Sequence, residues 1–182
     1  MKIKIILLIL ISSFIIYITY NHTYKKTINI VSINSLYEKE NYNVYISSLL
    51  SKSKLNYNYN IDFTKDNMEI ENLLSKIENN DKDIQAILHK ADAIILSIGN
   101  IDYKNEDLKT IITELDALFK RIRLINKKQI YYVSPVIIKN TNHIKETCHK
   151  YNIIFLNGSS FRNKNNLLAQ LLFKKIESVY NQ

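Results

Sequence analysis

Short apolar runs alternate with longer amphipathic segments along most of this chain, and that alternation constrains the fold more than any other feature. "TINIVSI" (Thr27–Ile33) is β-branched and apolar and reads as a strand. "NYNVYISSLLSK" (Asn41–Lys52) reads as a helix, with Val44, Ser48 and Leu49 near one face. "LNYNYNIDF" (Leu55–Phe63) alternates and reads as a second strand. "NMEIENLLSKI" (Asn67–Ile77) has apolar residues at 70, 73, 74 and 77, the helical spacing, and "DIQAILHKA" continues as a short helix. "DAIILSI" (Asp92–Ile98) reads as a buried strand, followed by the longest amphipathic helix, Glu106–Ile125. "KQIYYVS" is a fourth strand ended by Pro135, "NTNHIKETCHKY" a helix, "NIIFL" (Asn152–Leu156) a fifth strand, and "NKNNLLAQLLFKKIESVY" a closing helix.

Parallel neighbours need crossovers, so this order predicts a parallel sheet with right-handed helical connections on both faces. The expected architecture is a three-layer α/β/α, flavodoxin-like domain over residues 27–182, with five strands in the order 2-1-3-4-5. In such sheets binding and chemistry gather beyond the carboxyl ends of the strands. Here those ends are 33–36, 97–102, 134–137 and 156–160.

The chain has only two glycines, where an ordinary domain of this size carries about a dozen. Both fall at these strand exits: Gly99 after the third strand, Gly158 after the fifth. A tight exit that needs positive φ or a close backbone approach accounts for either one.

The amino terminus is a separate problem. "MKIK" precedes an uncharged run from Ile5 to Tyr20, near the lower length limit of a membrane-spanning helix. No small-x-small pair follows it, so residues 1–24 read as an uncleaved anchor in preference to a cleaved signal. The lysines on either side give a weak lean toward an inside amino terminus and an outside body. The expectation is a single-pass cell-membrane protein with its domain on the extracytoplasmic side.

Composition adds little about partners. The net charge is +8, yet Ile (32), Asn (23) and Lys (22) dominate, and these are residues that A/T-rich codons favour. No block of five like charges and no aromatic–basic array is present, so no nucleic-acid partner is expected. Cys148 is alone, which excludes an internal disulfide and a cysteine-based metal site. Its helix and its neighbours favour a structural thiol over a nucleophile.

The strand exits carry a resemblance. "INSL" (Ile33, Asn34, Ser35, Leu36) is similar to the Gly-Asp-Ser-Leu block of the SGNH/GDSL hydrolases, and "FTKDNMEIENLL" to their second block. "ADAIILSIGNID" resembles the third block, Gly-x-Asn-Asp after an Ile/Leu-rich strand. "NGSSFRNKNN" falls where the family has Asp-x-x-His-Pro before its last helix. The resemblance covers about residues 27–180 as an ordered set of blocks.

An ester hydrolase needs a nucleophile, a base, an orienting acid and oxyanion donors. By the resemblance, Ser35 stands at the nucleophile position and its own N–H remains an oxyanion donor. Gly99 is retained as a second oxyanion element, but Ile101 occupies the asparagine position and offers no side-chain donor. The acid position reads Asn157 and the base position reads Ser160. His143, at the start of its helix, is the nearest histidine to the carboxyl edge. Asp62, Asp66 and Asp102 read as solvated or capping carboxylates.

These substitutions imply a membrane-anchored, SGNH-hydrolase-like protein that is catalytically weak or inactive. It would bind a carbohydrate, an acyl ester or another cell-envelope ligand at the old site. The alternatives are an active serine esterase with a rearranged base, and an anchored protein-interaction scaffold. No cofactor and no metal is expected.

Overall fold

The structure is a computed structural model that describes residues 11–14, 27–34, 42–60, 68–99, 102, 106–135, 138, 141–161 and 163–181. Five strands alternate with helices: β1 (Thr27–Asn34), α1 (Tyr42–Ser51), β2 (Asn56–Asn60), α2 (Ile70–Glu78), α3 (Lys82–Lys90) and β3 (Ala93–Ser97). Then follow α4 (Leu108–Ile125), β4 (Gln129–Val133), α5 (Asn142–Lys150), β5 (Ile154–Leu156), a 3-10 turn (Gly158–Phe161) and α6 (Asn165–Tyr180). All four strand pairings are parallel and the order is β2-β1-β3-β4-β5, as the alternation predicts.

Each central strand is buried on both sides, which explains why the strands read as unbroken apolar runs. Side chains at alternate positions feed two cores. Val31, Ile33, Ile94, Leu96, Ile130 and Tyr132 pack under α2, α3, α4 and α5. Ile28, Ile30, Ala93, Ile95, Tyr131 and Val133 pack under α1 and α6. Three layers result. Phe119 of α4 meets Tyr132 edge-on, with ring centroids 5.3 Å apart, and Cys148 is buried among these residues. Burial pushes the Cys148 thiol up to about 12, so it stays a neutral core side chain.

Two polar side chains lock the amino ends of the strands. Asn126, just past α4, donates to the carbonyls of Leu88 and Ala91 and accepts from the Lys128 N–H. Arg123 donates to the carbonyls of Tyr151, Lys128 and Asn152. The ends of α3, α4 and α5 are thereby held where each chain segment turns back into the sheet.

Helix α1 departs from the expected face. Tyr42, Asn43, Ile46 and Leu50 are buried, whereas Val44 is 70% exposed and Tyr45 is exposed as well. The helix is rotated to bring Asn43 inward, onto hydrogen-bond partners that apolar periodicity does not register. Of the amino-terminal apolar run only residues 11–14 are described, and these are helical and exposed. Among the described residues no helix is long and apolar enough to cross a membrane; the rest of the 1–24 segment lies outside them.

Candidate functional site

The carboxyl ends of β1, β3, β4 and β5 each end in a different polar device. At β1 a buried chain of side chains runs between strand and helix. Tyr42 Oη donates to Asn34 Oδ1 at 2.8 Å, Asn34 Nδ2 donates to Ser32 Oγ at 3.0 Å, and Ser32 Oγ donates to Asn43 Oδ1 at 3.0 Å. Tyr59 of β2 also donates to Asn43 Oδ1. Burial holds the Tyr59 phenol well above its ordinary value, and neighbouring Tyr42 adds to this. The network therefore stays neutral, and it fixes the backbone up to Asn34. Ser35 follows directly and lies outside the described residues, as does Leu36.

At β3 the chain leaves through Gly99, whose φ is 103°. That conformation is strained for any residue with a Cβ, so the glycine has a backbone reason to be here. Ile98 at the strand end accepts a hydrogen bond from Tyr132 Oη at 3.2 Å. Ile101 lies outside the described residues. Of the two roles expected for Asp102, solvated or capping, the structure gives the second: it is only 2% exposed. It does cap a helix, although not its own. Asp102 Oδ1 accepts from the Ile70 N–H at 3.1 Å, at the start of α2, where Glu69 supplies no side-chain cap. Burial raises the Asp102 carboxyl, with the Ile70 bond working in the opposite direction.

The β4 and β5 exits are joined. Ser134 N donates to the Leu156 carbonyl at 3.0 Å, and Gly158 N donates to Ser134 Oγ at 3.0 Å. Gly158 has no positive φ. A Cβ added to it would sit 1.9 Å from the Ser134 carbonyl oxygen, so close approach is what requires glycine. The two glycines answer the two needs expected of strand exits, one each.

The last exit holds Asn157 and Ser160, the positions that the resemblance gives to acid and base. Asn157 Oδ1 accepts from Ser159 N at 3.2 Å and from Ser159 Oγ at 2.8 Å. Its carboxamide is thus occupied in an Asx-type turn that starts the 3-10 segment. Ser160, at the base position, is exposed, and its N–H donates to the Asn157 carbonyl at 3.2 Å. His143 is exposed on the first turn of α5, with Nδ1 3.3 Å from Glu146 Oε2. His149 is also exposed, in the last turn of α5, and His89 sits in the last turn of α3, which leads into the amino end of β3. His22 lies outside the described residues. Among the described residues the β5 exit therefore offers hydroxyls and a carboxamide, and no imidazole.

Sequence reasoning found the exits but missed their internal bonds. The Ser134–Gly158 contact and the Asp102 cap join positions 24 and 32 residues apart. No local spacing rule reports such pairs.

No family model matches the chain, and no curated protein does. Among solved structures, the lipase Lip_vut3 from a goat rumen metagenome is similar at 14% identity and a TM-score of 0.40. The likeness covers 69% of this chain and 72% of the lipase. It assigns no activity to this chain.

Proposed function

We propose that this chain is an SGNH/GDSL-hydrolase-like protein whose strand-exit site binds an envelope carbohydrate or acyl ester and turns over esters weakly or not at all. One observation carries the reading. The acid position, Asn157, is a carboxamide already engaged by Ser159, and the base position, Ser160, is an exposed hydroxyl. A serine hydroxyl without a base is a weak nucleophile at neutral pH. General-base help is worth about 10²–10⁴ in rate, and a missing oxyanion donor costs about 3–4 kcal/mol in the barrier.

Purified protein is expected to label near background with a fluorophosphonate probe, and Ser35→Ala should leave that background unchanged. The combined variant Ile101→Asn, Asn157→Asp, Ser160→His should gain labelling that depends on Ser35. Strong labelling of the parent protein, lost in Ser35→Ala, would instead identify a working esterase with a base elsewhere.

The same proposal places residues 1–24 in the cell membrane as a single-pass anchor, with the domain on the extracytoplasmic side. The uncharged Ile5–Tyr20 run supports this. Removing residues 1–24 should shift the protein from the membrane to the soluble fraction with its circular dichroism and melting temperature intact. A truncated protein that is unfolded would make the segment part of the core and end the anchor reading.

A further inference from the structure

Five carboxylates gather where β3 hands over to α4. Asp102, Glu106 and Glu114 each offer an oxygen, and these oxygens all lie within 4.8 Å of one another. Glu69 and Glu71, at the start of α2, add to the same field, and burial together with these neighbours raises the Glu114 carboxyl to about 7. Helix dipoles account for acids at helix starts, such as Glu69, Glu71 and Asp107. They do not account for Glu114, well inside α4.

A second observation points to a ligand. Asp102 is almost wholly buried, and one of its oxygens is held by the Ile70 N–H. The other, Oδ2, is buried with no hydrogen-bond partner, and so is Glu114 Oε2. Orphaned carboxylate oxygens are costly in an interior and call for a cation or donor. The ion pairs among the described residues all lie elsewhere: Arg121–Glu78, His143–Glu146 and Lys150–Asp116.

We propose that Asp102, Glu106 and Glu114 bind one calcium ion, which ties the start of α2 to the β3–α4 connection. An all-oxygen, three-carboxylate set suits a hard divalent cation. Ligand number favours calcium: Mg²⁺ keeps most of its waters and is usually held by one or two carboxylates in near-ideal octahedral geometry, whereas Ca²⁺ accepts several carboxylate oxygens in flexible geometry. The sequence reading expected no metal, and the one metal site it weighed was cysteine-based. Carboxylates drawn together from a connection and a helix interior leave no compact motif in the sequence.

The test is calorimetric titration and thermal melting of chelator-treated full-length protein with CaCl₂, and separately with MgCl₂. The expected result is one Ca²⁺ per chain and a melting temperature raised by about 5–10 °C at saturation. Glu106→Gln, at an exposed position that leaves the fold intact, should weaken calcium binding about tenfold or more. The proposal is overturned if calcium gives neither heat nor stabilisation, if Mg²⁺ matches it, or if the response survives Glu106→Gln. It is also overturned if Glu114→Gln stabilises the protein equally with and without calcium, which would show a pair of carboxyls sharing a proton.

Discussion

Gly158→Ala should unfold the protein or come close to it. The added methyl would meet the Ser134 carbonyl oxygen at 1.9 Å and the Ser134 carbonyl carbon at 3.1 Å. Both are backbone atoms at the exit of a buried strand, so no side chain can swing away. Overpacking usually costs about 1–3 kcal/mol, and a rigid backbone clash belongs above that range, at about 4 kcal/mol or more. Urea unfolding of Gly158→Ala should show a collapsed midpoint or no folded baseline. Gly99→Ala is the informative comparison. Its strain is conformational, with φ at 103°, and should cost only about 1–3 kcal/mol. If Gly158→Ala unfolds at the parent's urea concentration, the β4 and β5 exits do not approach as closely as described.

Asn126→Ala should produce the second-largest loss. The side chain is buried and makes three hydrogen bonds, to the Leu88 and Ala91 carbonyls and from the Lys128 N–H. Truncation strips all three backbone groups of their partner at once. An unsatisfied buried group costs about 1–3 kcal/mol, so three of them at the low end of that range should total about 3 kcal/mol. For a domain of this size that lowers the melting temperature by about 6–12 °C. Asn126→Asp should recover little, since a carboxylate cannot donate to two carbonyls. A melting temperature within 2 °C of the parent would mean that the α3 and α4 ends are not held through this residue.

Strands β3 and β4 were legible because they are buried on both faces and run apolar between their ends, and β2 was legible by its alternation. "AIILS" and "QIYYV" can be little else between amphipathic segments. Helix α4 was legible for the opposite reason: Ile111, Leu115, Leu118, Phe119 and Ile122 mark one clean buried stripe. Helix α1 was placed in sequence but its face was misjudged. Asn43 is buried by bonds to Ser32 and Tyr59, 11 and 16 residues away. The strand exits were legible, and both glycines fall at them, Gly99 for its positive φ and Gly158 for a close backbone approach. The chemistry at those exits was less so. Asp102 looks like a surface acid in "GNIDYKNED", and only the fold brings it beneath the first residue of α2.

Helix α6 has a consequence for how the chain can be made. It supplies Leu168, Ala169, Leu172 and Ile176 to the core that α1 and the inner strands also line. Glu177 of α6 accepts from Ser53 Oγ at 2.7 Å, and Tyr180 Oη donates to the Asp92 carbonyl at 2.6 Å. Contacts spanning 124 and 88 residues cannot form while the ribosome still holds the final helix. The part of that sheet face beneath α6, next to the part that α1 covers, therefore stays bare until α6 has emerged. Slow, late closure of this kind exposes a chain to misassembly. A nascent chain stalled near residue 160 should stay sensitive to protease and hold chaperones, and release of α6 should end both states together.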